Sequence, residues 1–294
     1  MPLSLSIPTP ENFSFKECLW FLDRGFDDCL HKVKDGSVTK LLRIRSHGLS
    51  LLRISESEDA LRVDLLKGEA RESEIIDYIT EWLHLEGDVA PLKAIARQDA
   101  DLEQLVEKYW GLRLISIPDL FEVLCWSIIG QQINLTFAYK LKRSLVEAVG
   151  ESETYKGETY HVFPTPKQVL KLSFDDLKGM QYSSQKARYL HIVVEAFLAG
   201  EISVEKLSLM ESTPEMLKCL MSLKGVGEWT ANYVAMKCLR RPDAITYGDA
   251  GLLNGYKQLK GLDRKPTREE LETFFGQFPG WEAYIVFYIW RSLA

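Results

Sequence analysis

The 294-residue sequence has few cysteines and no recognisable metal-binding pattern. Its five cysteines contain no CxxC pair and no cluster: Cys18, Cys29, Cys125, Cys219 and Cys238. Their odd number and apolar surroundings predict buried, reduced thiols in a cytoplasmic protein. The five histidines show no spacing that is typical of metal ligands. We therefore expect neither disulfides nor a His/Cys metal site.

The sequence also lacks the patterns of several other classes. It contains no run of about 18 apolar residues, so we expect no membrane-spanning helix. The N-terminus has no basic segment followed by an apolar stretch, which argues against secretion. No P-loop, Rossmann glycine pattern or Ser/His/Asp arrangement is present. With 46% hydrophobic and 27% charged residues, the composition is that of a globular protein.

The charge is unevenly distributed along the chain. The net charge is −6, which by itself argues mildly against nucleic-acid binding. Residues 1–110 hold 14 Lys and Arg against 21 Asp and Glu, whereas residues 111–294 hold 22 against 21. The acidity therefore belongs to the N-terminal third. A neutral C-terminal part can still bind DNA through backbone amides and a few local cations.

The sequence pattern predicts two domains in a mainly α-helical chain. From Phe15 to about Leu66 the short runs KLLRIRS, LSLLRIS and ALRVDLL predict strands, with a hairpin around SHG. From Glu72 onward, apolar residues at helical spacing predict a helix (Ile75, Ile76, Ile79, Trp82 and Leu83). LKAIARQDADLEQLVEKYW is expected to continue as one or two helices. Residues 1–110 are thus predicted to form an N-terminal α+β domain.

Residues 111–294 are predicted to form an all-helical domain. Helical patterns begin after Pro118 and continue to the C-terminus. The polar insert ESETYKGETYHVF is predicted to be a loop, because it lacks a helical pattern. The basic residues of the helices are interpreted as a solvated face: Lys140, Lys142, Arg143, Lys186 and Arg188.

The segment LKGVGEWTA, residues 223–231, is the most informative part of the chain. Gly225 and Gly227 are separated by one residue, follow an apolar flank and precede a helical pattern. A tight turn that opens a helix presents several unpaired N–H groups at the positive end of the helix dipole. Such a site binds anions, including a DNA phosphate. The alternative is a plain helix–helix turn.

Asp249 follows Gly227 by 22 positions, in ITYGDAGLLNG. One reading is an N-cap for the helix that begins near Ala250. The second is a carboxylate held close to a nucleoside sugar, where it would stabilise positive charge or orient a water. The two readings are compatible, because the helix dipole stabilises a carboxylate at this position.

Aromatic and amide side chains flank these two features. Trp229, Tyr233 and Met236 lie at positions i, i+4 and i+7, which fits core packing or a base-stacking surface. Gln131 and Gln132 interrupt an apolar helix end. They fit a solvent-exposed boundary or, in a DNA enzyme, an amide that fills the gap left by a flipped base.

Together these pieces resemble the helix-hairpin-helix base-excision DNA glycosylases, most closely the DNA-3-methyladenine glycosylase II (alkylbase) type. LKGVGEWTANYVAM matches the hairpin, GDAGLL the acidic motif and FYIW the C-terminal aromatic segment. GLRLISIPDLFEVLCWSIIGQQINLTFAYKL resembles the entry to the helical domain. The resemblance covers residues 111–294 and implies an active-site cleft between helical subdomains.

The resemblance implies a role for each matching residue. Asp249 corresponds to the catalytic carboxylate and Gln132 to the side chain inserted into the duplex. The base pocket corresponds to Trp229, Tyr233 and Trp290. DNA-phosphate binding is expected from Lys224, Gly225, Val226, Gly227 and Thr230. The carbonyls of Met221, Leu223 and Val226 correspond to a site for Na⁺ or K⁺.

Trp229 also indicates the type of reaction. Glycosylases of this superfamily that nick DNA carry a lysine at the corresponding position, and a tryptophan cannot form their imine. We therefore expect a monofunctional enzyme in which water attacks the sugar. No cysteine follows Cys238, so no iron–sulfur cluster and no required cofactor are expected. Lys224, Gly248 and Arg291 depart from the family pattern, and Arg291 follows Trp290 where a relative has another aromatic residue.

The resulting hypothesis is a DNA glycosylase that excises alkylated purines, such as 3-methyladenine and 7-methylguanine, in base-excision repair. Its partner is damaged double-stranded DNA. We expect a monomer without membrane association, in the cytoplasm and, in a prokaryote, at the nucleoid. Two alternatives are a non-catalytic helix-hairpin-helix DNA-binding module and an 8-oxoguanine-type glycosylase/lyase.

Overall fold

The structure, a computed structural model, describes residues 3–44 and 47–293. The strands are β1 (Ser4–Pro8), β2 (His31–Lys34), β3 (Ser37–Ile44), β4 (Gly48–Ser57), β5 (Ala60–Lys67), β6 (Ser152–Tyr155) and β7 (Glu158–His161). The first five form one antiparallel sheet in the order β1-β5-β4-β3-β2. Ile44 pairs with Gly48, so the predicted β3–β4 hairpin is confirmed, although Ser46 of SHG lies outside the described residues.

Helices make up most of the remaining chain. In the N-terminal part they are α1 (Phe15–Leu22), α2 (Glu72–Leu83), α3 (Ala90–Ala96) and α4 (Ala100–Lys108). They continue as α5 (Leu120–Ile129), α6 (Leu135–Val149), α7 (Pro166–Val169), α8 (Phe174–Gly179), α9 (Ser184–Leu198) and α10 (Val204–Ser208). The last five are α11 (Thr213–Met221), α12 (Glu228–Lys237), α13 (Ala250–Leu259), α14 (Arg268–Phe275) and α15 (Glu282–Arg291). The predicted mainly helical fold with an N-terminal sheet is confirmed.

Local sequence accounts for most of these elements. The α2 helix coincides with the predicted one and buries Ile75, Ile79 and Trp82, while Ile76 stays exposed. The segment after α2 forms two helices, α3 and α4. Asp119 caps α5 by accepting hydrogen bonds from the N–H groups of Phe121 and Glu122. No described helix has both the length and the apolar character that a membrane crossing requires.

The prediction of strands from Phe15 onward is wrong for the first eight residues, which form α1. Ser14 caps this helix by accepting a hydrogen bond from the Glu17 N–H. Phe15, Cys18 and Leu22 are buried at helical spacing. Tertiary burial of one helical face therefore outweighs the strand propensity of this aromatic-rich segment.

The insert that was predicted to be a loop is the β6–β7 hairpin. Lys156 and Gly157 both have positive φ angles, 49° and 82°, which is the geometry of a two-residue type I′ turn. Tyr160 and Val162 pack against Leu41 and Leu51 on the face of the sheet away from the main core. The hairpin therefore covers apolar sheet surface that would otherwise meet water.

Two of the lysines that were assigned to a solvated face are buried. Lys186 of α9 is 8% exposed and donates a 2.7 Å hydrogen bond to the Ile129 carbonyl at the end of α5. Burial lowers the pKa of Lys186. Lys142 of α6 is 4% exposed. By contrast, Lys140 and Arg188 are exposed as predicted, and the half-buried Arg143 pairs with Asp27 and Glu147.

Lys142 forms a buried ion-pair cluster between the two parts of the chain. Its Nζ lies 3.2 Å from Asp28 Oδ2 and 3.3 Å from Glu122 Oε1. Burial raises the pKa of Asp28, but the Lys142 charge and other nearby cations outweigh it and bring the net shift down. Asp28 lies between α1 and β2, and Glu122 belongs to α5, so Lys142 ties the N-terminal part of the chain to the helical core.

We expect Lys142→Met to lower the free energy of unfolding by about 3–5 kcal/mol, because it leaves two largely buried carboxylates without their ion-pair partner. Lys140→Met, on the exposed face of the same helix, should change it by no more than about 0.5 kcal/mol. Urea unfolding followed by circular dichroism measures both. Equal stability of the two variants would contradict the bridging role of Lys142.

Candidate active site

The turn between α11 and α12 is a tight hairpin that one of its two glycines makes possible. Gly225 has a φ of +100°, and a Cβ on it would lie 2.4 Å from Cγ of Tyr189. Only glycine combines that backbone angle with such close packing on α9. Gly227 is extended (φ −94°, ψ −179°), caps α12 and has open space where a Cβ would lie. Leu223 and Val226 are buried and anchor the turn from within.

The hairpin presents N–H groups and one cation to solvent. The first N–H groups of α12 have no intrahelical acceptor. The intrahelical hydrogen bonds of α12 begin with Ala231 N–H, which donates to Gly227 O at 2.9 Å. Lys224 is exposed at the tip of the turn. Glu228 would place a negative charge here, but Arg268 forms two hydrogen bonds with it at 2.7 and 2.8 Å. These bonds lower the pKa of Glu228, and the arginine charge offsets that of the carboxylate.

Two of the five predicted phosphate-binding residues make hydrogen bonds within the protein. Val226 N–H donates a 3.0 Å hydrogen bond to Leu223 O. Thr230 is 2% exposed, and its hydroxyl accepts a 3.3 Å hydrogen bond from Gln131 Nε2. The Thr230 side chain therefore faces the core instead of a phosphate. The groups left open to a phosphate are Lys224, Gly225, Gly227 and the N–H groups at the start of α12, which include that of Thr230.

The two glutamines after α5 have different environments. Gln131 Nε2 also donates to Gly225 O at 3.0 Å, so this side chain connects the end of α5 to the hairpin. Gln132 is exposed and has a φ of +58°, an angle that few residues other than glycine adopt. Such strain is found at functional positions. The two amides that the sequence placed together thus have separate structural roles.

Asp249 is the N-cap of α13, and its carboxylate also accepts two indole hydrogen bonds. Oδ1 accepts from Leu252 N–H at 2.8 Å and from Trp290 Nε1 at 2.9 Å. Oδ2 accepts from Trp229 Nε1 at 3.2 Å. The three donors belong to α13, α15 and α12. The half-buried carboxylate is therefore fixed in position by three helices.

Two small residues on α13 permit this arrangement, and the sequence interpretation did not identify them. A Cβ on Gly251 would lie 2.9 Å from Asp249 Oδ1 and 3.0 Å from Cδ1 of Trp290. A Cβ on Gly255 would lie 2.5 Å from Cγ2 of Ile289. The two glycines lie on one face of α13 and let α15 approach closely. Their spacing of four residues in GLLNG was the available signal.

The loop before Asp249 is held by a buried asparagine of α12. Asn232 Oδ1 accepts a 3.2 Å hydrogen bond from Ile245 N–H, and its Nδ2 donates to Glu228 O at 3.0 Å. Asp249 N–H in turn donates to Thr246 O at 3.0 Å. The hairpin helix therefore positions the carboxylate through both Trp229 and Asn232.

The three predicted pocket aromatics meet beside the carboxylate. The Trp229 and Tyr233 rings are stacked, with centroids 5.3 Å apart and planes at 20°. The Tyr233 and Trp290 centroids are 6.3 Å apart. Tyr233 accepts a 3.2 Å hydrogen bond from Trp126 Nε1, and burial raises its pKa. Met236, the third member of the sequence stripe, is fully buried in the core.

Arg291 points away from this cluster. Its Nε donates a 2.6 Å hydrogen bond to Glu17 Oε2, and its Cζ lies 4.2 Å from the Trp20 ring centroid and 4.1 Å from that of Tyr109. This residue therefore packs against the N-terminal part of the chain.

The geometry places an oriented carboxylate, electron-rich rings and an anion-binding helix start within one site. The carboxylate can stabilise a nearby positive charge. The rings can stack on a planar heterocycle, and the N–H groups can hold a phosphate. The combination suits chemistry at the sugar of a nucleotide whose phosphate is bound at the hairpin.

Comparisons with known proteins are consistent with this geometry. Residues 125–278 match the HhH-GPD superfamily base excision DNA repair protein family, and residues 6–124 match the N-terminal domain of 8-oxoguanine DNA glycosylase. The chain is 36% identical over 293 residues to DNA-3-methyladenine glycosylase of Bacillus subtilis strain 168, covering 98% of this chain and 96% of the relative.

Two solved structures share the fold at low sequence identity. The 3-methyladenine DNA glycosylase from Archaeoglobus fulgidus superposes with a TM-score of 0.81 at 20% identity, covering 98% of this chain and 97% of that one. The 8-oxoguanine glycosylase/lyase of Clostridium acetobutylicum, in complex with double-stranded DNA, superposes with a TM-score of 0.76 at 18% identity. The superposition covers 99% of this chain and 96% of that one.

The two hairpin glycines should differ sharply in their tolerance of a methyl group. We expect Gly225→Ala to lower the free energy of unfolding by about 2–4 kcal/mol, because of its positive φ and the Tyr189 ring. Gly227→Ala should cost no more than about 1 kcal/mol, since its backbone is extended and the space is open. Thermal unfolding of the two variants measures this difference. Equal losses of unfolding free energy in Gly225→Ala and Gly227→Ala would contradict the hairpin geometry.

Proposed function

The chain belongs to the HhH-GPD superfamily of base excision DNA repair proteins, and from its site we propose that it is a monofunctional DNA glycosylase that releases alkylated purines from duplex DNA. The substrates are of the 3-methyladenine and 7-methylguanine type. The observation that carries the proposal is the Asp249 carboxylate, held by Trp229 and Trp290 beside the phosphate-binding hairpin. The 36% identical relative, a DNA-3-methyladenine glycosylase, supports the substrate class.

The reaction begins when the damaged nucleotide leaves the base stack. Flipping costs a few kcal/mol, and the cost falls for a damaged or weakly paired base. The start of α12 and Lys224 hold a backbone phosphate, and the exposed Gln132 fills the space that the base leaves. The flipped base then stacks on the rings of Trp229, Tyr233 and Trp290.

Hydrolysis then breaks the bond between C1′ and the base nitrogen. The electron pair of this bond stays on the base, so a purine that carries a positive charge after alkylation leaves as a neutral molecule. Asp249 stabilises the positive charge that develops on the sugar. Water forms the new bond to C1′ and loses its proton to Asp249 or to solvent. The indole donors keep the carboxylate oriented and need not move during the reaction.

The structure supports hydrolysis without a lyase step. Trp229 lies against Asp249, at the position that a lysine would need for imine formation. Its indole N–H donates a hydrogen bond to the Asp249 carboxylate. Lys237, on the same helix, is fully buried with its Nζ bonded to Ile115 O, so it cannot reach the sugar.

The proposed enzyme needs no cofactor and no iron–sulfur cluster. We propose the carbonyls of Met221, Leu223 and Val226 as ligands of a structural Na⁺ or K⁺; Met221 ends α11, and the last carbonyls of a helix lack intrahelical donors. Such an ion would stiffen the hairpin and add positive charge near a phosphate. We further propose that the protein acts as a monomer on duplex DNA in the cytoplasm, at the nucleoid in a prokaryote.

Asp249→Asn should retain DNA binding and lose base release by about 100- to 1,000-fold or more, because asparagine still caps α13 but carries no charge. Single-turnover release of 7-methylguanine measures the chemistry, and fluorescence anisotropy on a duplex with an abasic-site analogue measures binding. Asp263→Asn, an exposed position between α13 and α14, is the matched control. Near-normal release by Asp249→Asn would refute the assignment.

Borohydride should trap no covalent adduct between the wild-type protein and a damaged duplex, because Trp229 contacts Asp249 where a lyase has its lysine and Lys237 of the same helix is buried. An 8-oxoguanine glycosylase/lyase on its own substrate is the positive control. Denaturing gel electrophoresis after sodium borohydride treatment separates free from protein-bound DNA. A wild-type adduct would support the lyase alternative instead.

A further inference from the structure

Glu228, the first residue of α12, places a carboxylate at the helix start that is proposed to bind a phosphate. Gly227, the N-cap of α12, provides no side-chain hydrogen bond to this end of the helix. The free N–H groups attract negative charge, and an acidic residue in the first turn is stabilised there. Because the Glu228 side chain belongs to the same helix, it competes with a DNA phosphate at a high effective concentration. An unrestrained Glu228 would therefore weaken DNA binding.

Arg268 of α14 holds this carboxylate by both of its oxygens. Its Nη1 donates a 2.8 Å hydrogen bond to Glu228 Oε2, and its Nη2 donates a 2.7 Å hydrogen bond to Glu228 Oε1. Two parallel hydrogen bonds between a guanidinium and a carboxylate are charge-assisted and fix the orientation of both groups. The Glu228 carboxylate is therefore directed towards α14 instead of the N–H groups of its own helix.

The guanidinium of Arg268 is itself held from two further sides. Its Nε donates a 2.8 Å hydrogen bond to Glu272 Oε1, one turn further along α14. Its Cζ lies 4.3 Å from the ring centroid of Tyr247, which precedes Asp249 by two residues. Arg268 therefore joins the start of the hairpin helix to α14 and to the loop that carries the proposed catalytic carboxylate.

An alternative role for Arg268 is a direct contact with DNA. The side chain is about half exposed, and the two carboxylates use three of its five N–H groups. Glu228 and Glu272 carry two negative charges against one positive charge on Arg268, however, so the cluster adds no net attraction for a phosphate. The charge balance favours control of Glu228 over direct phosphate binding.

Glu282 is an internal comparison, because it is a glutamate at the same helix position. It is the first residue of α15, and Trp281 at the N-cap provides no side-chain hydrogen bond. Burial raises the pKa of Glu282, whereas the N–H groups of Glu282 itself, Gly280 and Trp281 act to lower it. Its carboxylate therefore lies near the N–H groups at the start of its own helix. A glutamate at the first helical position can thus reach the groups that Glu228 leaves free.

We propose that Arg268 is a positioning residue for DNA binding, which holds Glu228 away from the first N–H groups of α12 and so keeps them open to a phosphate. This inference rests on the proposed glycosylase function, in which the hairpin binds the backbone of damaged DNA. Loss of the arginine leaves Glu228 without its partner. The carboxylate then turns towards the helix start, where it occupies part of the phosphate site and repels the DNA.

The test measures the affinity of single and double variants for a duplex with an abasic-site analogue by fluorescence anisotropy. We expect Arg268→Gln to weaken binding by about 5- to 30-fold, the size of one uncompensated like charge close to a phosphate. Glu228→Gln should bind at least as tightly as the wild-type protein. The double variant Glu228→Gln/Arg268→Gln should bind as tightly as Glu228→Gln alone, because a neutral side chain does not compete with the phosphate.

Arg264→Gln is the matched control. Arg264 precedes α14 and forms the same two-bond pair with Glu270, in which each hydrogen bond is 2.8 Å long. Its partner belongs to α14 and not to the hairpin helix. We therefore expect its loss to leave the DNA affinity unchanged. Because exposed ion pairs contribute little to stability, Arg264→Gln and Arg268→Gln should both keep the melting temperature of the wild-type protein.

The outcomes separate this inference from the proposed function. A loss of affinity that persists in the double variant overturns the inference. With a weaker salt dependence it indicates a direct phosphate contact, and with a lowered melting temperature it indicates a structural role. Wild-type affinity in Arg268→Gln overturns the inference as well.

Wild-type protein that binds no damaged duplex, or that releases no alkylated purine, overturns the proposed function itself. Should Arg268→Gln fail to fold, the affinities of Arg268→Lys with and without Glu228→Gln decide. Lysine cannot form the two parallel hydrogen bonds, so we expect its affinity to lie below that of the wild-type protein and to recover in the double variant. A loss that does not recover overturns the inference.

Discussion

The site depends on the hydrogen bonds that two indoles donate to one carboxylate. Trp229 and Trp290 each donate to a different oxygen of Asp249, and they come from helices that are far apart in sequence. Because an indole has only one donor, this use leaves its ring faces available for stacking. The same contacts therefore orient the charged group and shape the surface beside it. Gly251 and Gly255 keep α13 and α15 close enough for these bonds to form.

A net-acidic chain can bind DNA at this site because the contacts are local. The hairpin offers helix-start N–H groups and Lys224, and Arg268 offsets the charge of the nearby Glu228. Binding through backbone amides releases few counterions, so its salt dependence should be modest. The excess negative charge belongs to residues 1–110, whereas residues 111–294 carry about equal numbers of acidic and basic side chains.

The N-terminal part of the chain packs firmly against the helices that build the site. Lys142 joins it to the helical core through buried ion pairs with Asp28 and Glu122. Arg291 and Glu17 make a second link next to Trp290. Phe21 of α1 adds a ring contact with Phe287 of α15, with the two centroids 4.6 Å apart. Rigid attachment of the sheet therefore keeps these side chains at fixed distances from the helices that carry Asp249.

Features set by neighbouring residues could be predicted from the sequence, such as helix α2, the glycine turn and the cap at Asp249. The turn residues Lys156 and Gly157 were also a local signal, which the loop prediction missed. The sequence could not show that Thr230 and Lys142 are buried or that Arg268 pairs with Glu228, because long-range packing decides burial and partners. The residue types and their local geometry were thus determined by the sequence alone. Their distances across the site were decided by tertiary structure.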